Sequence, residues 1–239
     1  AKRMHRVMTV SESSRSDIIA DHRVPEERVH VVPVGVDPEL FRPVEGVTPV
    51  PGRIVTTASA DVAMKGLRFL LEAVAKLRTE REVELVIIGK PKASSAASDT
   101  FERLGLTDCV SYVHGVPDQR IVELYSEAEV AVVPSLYEGF SLPAIEAMSC
   151  GVPLVTTTGG ALPEVTGTHN ETCFQVPPGD SDSLATMIRT VLDTPDARDR
   201  VGANGRRRVI ENWSWRHTAE RTVEQYRELL ADSRTGPRR

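Results

Sequence analysis

The stretch VAVVPSLYEGFSLPAIEAMSCGVPLVTTTGG, from Val130 to Gly160, decides how the chain is read. Val130 to Pro134 is a short apolar run that stops at proline, the pattern of a strand buried on both faces. Ser135 to Phe140 is polar and turn-rich. Ser141 is a candidate helix cap, and Pro143 fits the first turn, where no N–H is needed. Ile145, Ala147 and Met148 give the helix an apolar side, Cys150-Gly151-Val152-Pro153 stops it, and Val152 to Val155 reads as the next strand. Two carboxylates lie in this unit, Glu138 in the loop and Glu146 about one turn into the helix.

In an open parallel sheet the ligand crevice lies outside the carboxyl ends of the strands, where that loop falls. The helix start between the two carboxylates offers unpaired N–H groups and the positive end of a dipole, a setting for phosphate. Glycine at 139 allows close backbone approach. These features predict an anion held at Gly139, Phe140, Ser141 and Leu142, flanked by carboxylates that accept from neutral hydroxyls. A diphosphate beside hydroxyls describes a nucleotide sugar.

Outward from this unit, strands alternate with helices. Arg53–Ala58, Glu84–Ile88, Val110–Val113 and Thr172–Val176 read as further strands. Lys65–Leu77 carries apolar residues at 67, 70, 71, 74 and 77, a helical period. Phe101–Leu106, Asp118–Glu127, Asp180–Leu192, Ala197–Asn212 and Trp215–Ala231 are the other helices after residue 53, with Lys90–Asp99 as a loop. Such alternation predicts an α/β fold, a Rossmann-like parallel sheet with helices on both faces. Ahead of it, Met4–Val10 and Val29–Val34 read as strands around a helix over Ser14–His22. Residues 37–52 carry four prolines and read as a linker. The expected division is 1–36 as a strand-helix-strand remnant of a preceding domain, 37–52 linker, 53–232 the main domain with its C-terminal helices, and 233–239 a polar, disordered tail.

The chain has 239 residues, 40% hydrophobic, with net charge −5. That is enough for a full core and argues against nucleic acid as a partner. No apolar run is long enough to span a membrane. Three sparse cysteines without metal-ligand spacing fit a cytoplasmic protein, free or peripheral at the inner face of the membrane.

The string Glu138-Gly-Phe-Ser-Leu-Pro-Ala-Ile-Glu146, followed by Ala147-Met-Ser-Cys-Gly-Val-Pro-Leu-Val155, resembles the E-x7-E signature of family 4 retaining glycosyltransferases. The resemblance covers roughly Met4 to Leu230 and implies the C-terminal, donor-binding half of a GT-B fold, its N-terminal domain largely missing. Val31 to Asp37 resembles the family's approach to the interdomain linker, with Val34 where asparagine is usual. Lys65 matches the family's diphosphate-binding lysine; only five of the 29 basic side chains are lysines, and one at a helix start is unfavourable without an anion. The family's arginine five residues earlier is Ala60 here; Ser59 and Asp61 are candidates to line the pocket instead, and Arg68 a possible substitute. Gly89 and Gly115-Val116, at strand ends, are expected near the nucleotide, and Gly159-Gly160 near sugar or phosphate.

The resemblance implies transfer of a sugar from a nucleoside diphosphate to the hydroxyl of a glycan, lipid or small molecule, with retention. Glu138 and Lys65 would be catalytic and Glu146 would hold the ribose. No cofactor or metal is expected. Two other readings stand beside it: a nucleotide-sugar-binding fragment or subunit without turnover, and another GT-B-like enzyme such as an epimerase or phosphorylase. Asp180-Ser181-Asp182 spells a metal-binding pattern but sits where a helix cap belongs. Trp213 and Trp215 read as packing anchors, and Glu164 as solvated.

Overall fold

The structure is a computed structural model that describes residues 4–58, 62–91 and 96–235. Its main sheet has six parallel strands: β3 (Arg53–Thr57), β4 (Glu84–Ile88), β5 (Val110–Val113), β6 (Val130–Val133), β7 (Leu154–Thr157) and β8 (Phe174–Val176). They lie in the order β5-β4-β3-β6-β7-β8. Chain order therefore reverses between β3 and β6, which places a switch point at their carboxyl ends.

The sheet feeds two cores, because successive side chains leave opposite faces. Val55, Val86, Ile88, Ala131 and Val133 pack on one face, with α4 (Asp118–Ser126), α5 (Leu142–Ser149) and α6 (Leu162–Thr166). Ile54, Leu85, Ile87, Val130 and Val132 pack on the other, with α2 (Leu67–Leu77) and α7 (Ser181–Asp193). All five apolar positions of α2's period are buried. α3 (Ala96–Arg103) packs beside α2, and α8 (Pro195–Asn212) crosses α5.

Ahead of this domain, β1 (Val7–Thr9) and β2 (Val29–Val31) form a separate parallel pair joined through α1 (Glu12–His22). α1 buries no residue. The proline-rich segment after β2 is tied down along its length: Phe41 is in the core, and its carbonyl accepts from Ser149 Oγ at 2.6 Å. The Gly52 amide donates to Glu129 Oε2 at 2.6 Å. The chain crosses between the two units twice, side by side, with Val36 bridged to Ser214. α9 (Trp215–Thr235) then returns to β1, where Arg6 bonds Glu228 at 2.6 Å.

Several boundaries differ from the sequence reading. α1 starts at Glu12 rather than Ser14, because Ser11 is the cap and its Oγ accepts the Ser14 amide. α3 begins at Ala96, inside the expected loop, and ends at Arg103. β1 and β2 are three residues each, and β7 starts at Leu154, two residues after the expected strand start. α9 continues to Thr235, through the first residues expected to be a tail. Trp213 is buried, its Nε1 donating to the Val165 carbonyl, but Trp215 is 51% exposed and anchors nothing in the core.

Candidate functional site

The loop after β6 enters the switch point against the segment after β3. Ala63–Lys65 forms a 3-10 turn ahead of α2, so Lys65 precedes the helix rather than starting it. Gly66 joins the two in a left-handed conformation, φ 66°. A side chain there would put Cβ 1.9 Å from the Pro134 carbonyl oxygen, so only glycine lets the turn lie this close to the end of β6. The Leu136 amide closes the contact by donating to the Met64 carbonyl at 2.8 Å.

This approach brings Lys65 onto Glu138. The Lys65 ammonium donates to Glu138 Oε1 at 2.8 Å and to Oε2 at 3.1 Å. Ser135 Oγ donates to the same Oε1 at 2.7 Å. Glu138 is only 9% exposed, and its backbone is held by a bridge to Gly160 and by the Ala161 amide. Gly159 and Gly160 press on the backbone of Leu136 to Glu138. Their lack of side chains lets the two backbones lie this close.

The four residues from Gly139 to Leu142 each do something different. The Gly139 carbonyl accepts from Ser11 Oγ at 2.6 Å and Ser14 Oγ at 3.2 Å, fastening α1 over the loop. Phe140 is a core residue, edge-on to Trp213 at 5.5 Å. Ser141 stands at the cap position of α5 with φ 99° and makes no side-chain cap bond, contrary to the sequence reading. Capping needs an extended backbone to aim the hydroxyl at the N2 or N3 amide. Instead Ser141 Oγ is buried without a hydrogen-bond partner among the described residues. Leu142 is 40% exposed and opens α5, whose first-turn amides have no intrahelical acceptor.

Glu146 sits one turn into α5, half-buried, with no hydrogen-bond or ion-pair partner among the described residues. Burial, and secondarily the Asp118 carboxylate, push its pKa up to about 7. Beside it, the buried Tyr125 hydroxyl meets Thr57 Oγ1 at 2.9 Å and donates to the Pro143 carbonyl at 3.5 Å, tying together the ends of β3, α4 and α5. The structure thus unites Lys65, Ser135 and Glu138, and sets Glu146 on the adjoining helix. Gly89 directly follows β4, and its amide donates to the Val113 carbonyl at 2.8 Å. Gly115 has φ 67° with open space where a side chain would go, and Val116 is half-buried beside it. Ser59, Ala60 and Asp61 lie outside the described residues.

Other candidates resolve into structural roles. Arg68 stacks on Phe69 and faces Glu72. Asp180 caps α7, accepting from the Asp182 and Ser183 amides, and Asp182 pairs with Lys76 at 2.7 Å. Among the described residues no group of three or more His, Cys, Asp or Glu side chains could hold a metal ion. Glu164 is not free: its carboxylate accepts from the Glu12 amide at 3.0 Å and anchors the start of α1. Ser135, Tyr125 and Thr57 carried no signal in the sequence, since single hydroxyls at strand ends and inside helices are common.

A doubly wound α/β domain with charged side chains gathered at its switch point is the class of protein these features define. Known proteins narrow it further. The profile of the family described as glycosyl transferases group 1 matches residues 45–208, and the chain belongs to that family. An MMP alpha-(1->4)-mannosyltransferase of Mycolicibacterium hassiacum is 46% identical over 97% of this chain and 56% of its own. Sucrose-phosphate synthase of Thermosynechococcus elongatus superposes with TM-score 0.84 at 28% identity, over 97% of this chain and 60% of that one. The Anabaena protein HepE, solved with UDP-glucose, shares the fold with TM-score 0.83 at 22% identity, over 95% and 65%. The six-stranded domain is thus the C-terminal half of a GT-B fold, and the chain spans little more than half the length of the mannosyltransferase. Among the described residues no helix is long and apolar enough to cross a membrane.

Proposed function

We propose that this chain is the donor-binding half of a retaining, metal-independent glycosyltransferase that takes a hexosyl group from a nucleoside diphosphate. The observation that carries the reading is the convergence at one switch point of Lys65, Glu138 and the open first turn of α5, with the unpartnered carboxylate of Glu146 one turn further on. In the reaction the bond between the sugar's anomeric carbon and the diphosphate oxygen breaks, and its electron pair leaves with the diphosphate. A bond forms to the acceptor oxygen, whose hydroxyl proton passes to the departing phosphate. Lys65 and the α5 amides stabilise the charge that develops on the leaving group. Glu138 holds sugar hydroxyls and lends negative charge near the oxocarbenium-like centre, while ionised Glu146 accepts from the ribose hydroxyls. Gly89, Gly115, Val116 and Ser59 complete the nucleotide side.

Because the 46% identical relative is named a mannosyltransferase, a mannosyl nucleotide is the first donor to test. We assign residues 53–232 to donor binding and 1–36 to the edge of an opposing domain that carries the acceptor site. Closure of two such domains excludes water from the reaction. Calorimetric titration of the 239-residue chain with UDP and with GDP, each with and without a chelator, tests the site. Saturable binding that survives the chelator is expected. Absence of binding by both nucleotides sinks the reading, and binding only with added magnesium or manganese sinks metal independence. Sugar transfer should appear only when the opposing domain is supplied, in cis or as a second chain.

A further inference from the structure

The same ammonium has two anionic claimants. Lys65 donates to both oxygens of Glu138, and the donor reading also has it meet the diphosphate. The carboxylate is not a passing neighbour. Ser135 Oγ, on a residue only 2% exposed, holds Oε1 in place, and the Ser135 carbonyl in turn accepts from Thr157 Oγ1. The Glu138 backbone is pinned from the other side by Gly160 and Ala161. A half-buried charge pair whose carboxylate is held in place is a site already satisfied, and an incoming diphosphate competes with that carboxylate for the ammonium.

We propose that Lys65 alternates between Glu138 and the diphosphate, and that Glu138, aimed by Ser135, is a built-in competitor that drives the nucleotide out once the sugar has left. The inference rests on the donor-site reading above. While the sugar is present, its hydroxyls donate to Glu138 and compensate the carboxylate for the loss of Lys65. After transfer those donors are gone, Glu138 is uncompensated beside a diphosphate, and recapture of Lys65 favours release. Lys65 therefore supports departure of the leaving group in one half of the cycle and its expulsion in the other. Ser135 is the positioning residue in this exchange; it does not touch the substrate.

The test is a double-mutant cycle read by calorimetry with free UDP and free GDP as probes. Glu138→Gln should tighten binding of the preferred nucleotide by about tenfold, equivalent to about 1.4 kcal/mol, and slow its dissociation in stopped flow. Lys65→Ala should weaken it. In the Lys65→Ala background the Glu138→Gln gain should shrink to less than about twofold. Ser135→Ala should give a smaller gain in the same direction as Glu138→Gln, which a purely structural serine would not. Glu138→Asp keeps the charge but shortens its reach, and should tighten binding as well; it serves if the glutamine variant does not fold. Unchanged or weaker nucleotide binding in the folded Glu138 variants overturns the inference while leaving the donor site standing. A gain that persists undiminished without Lys65 also overturns it, since it would mean simple repulsion. If neither nucleotide binds the wild type or any variant, the donor-site reading falls and takes this inference with it.

Discussion

Ser141 has no Cβ-free excuse for its backbone. A non-glycine residue at φ 99° stores roughly 1–3 kcal/mol, and its buried hydroxyl lacks a partner among the described residues. Both liabilities vanish in Ser141→Gly, while the extra freedom of glycine in the unfolded chain takes back part of the gain. The variant should be more stable by about 1 kcal/mol in urea unfolding, and a loss of stability would show that the hydroxyl is engaged after all. Glu146, one turn on, carries the other anomaly. Its folded pKa of about 7 stands above the ordinary 4.5, so the folded state holds a proton that the unfolded chain has released. The stability this contributes is complete below pH 4.5 and is lost as pH rises through 7. Glu146→Gln should therefore gain on the wild type between pH 5 and 8, by about 2–3 kcal/mol in total. Over the same window the wild type's nucleotide affinity should rise relative to the variant's, because the ionised form is the better acceptor. Parallel stability and affinity profiles for the two proteins would exclude this environment for Glu146.

Among the elements, the junction between the 3-10 turn and α2 is the most constrained. Gly66→Ala would drive Cβ into the Pro134 carbonyl, a backbone atom that cannot swing aside. It should lower stability by about 3 kcal/mol or more and displace Lys65 from Glu138. Gly115→Ala is the control: its φ is also positive, but nothing lies within 4 Å of the added atom, so it should lose only about 1–2 kcal/mol. Denaturant midpoints of the two variants, compared directly, check the assignment. Local pattern made most of these elements legible. α2 obeys its helical period at every position, and β4 and β5 match their apolar runs end to end. What escaped was decided by contacts distant in sequence. α1 looks like an ordinary capped helix, yet its start is held by Glu164 and Gly139, more than 120 residues away. The Lys65–Glu138 pair spans 73 positions, and nothing in either neighbourhood announces it. The early start of α3 is a different failure, since an Ala- and Ser-rich stretch suits a helix as well as a loop.

At the scale of the whole molecule, sequence pattern sufficed for the parallel sheet with its two covered faces, because both follow from strand-helix alternation. It did not show how firmly the proline-rich segment is fastened, since the Phe41 and Gly52 bonds join it to side chains far along the chain. The strands do not overlap equally along the sheet. β3 pairs with β4 through five residue pairs, but with β6 through only two, Ile54 with Val130 and Val55 with Ala131. The six strands are in effect two three-stranded plates welded along a short seam. Thr56 Oγ1 to the Val132 carbonyl and the Leu136–Met64 contact reinforce it, and the Lys65–Glu138 pair closes its open end. The seam where the chain order reverses therefore runs into the candidate site, and a ligand gripped from both plates would act as a rivet across it.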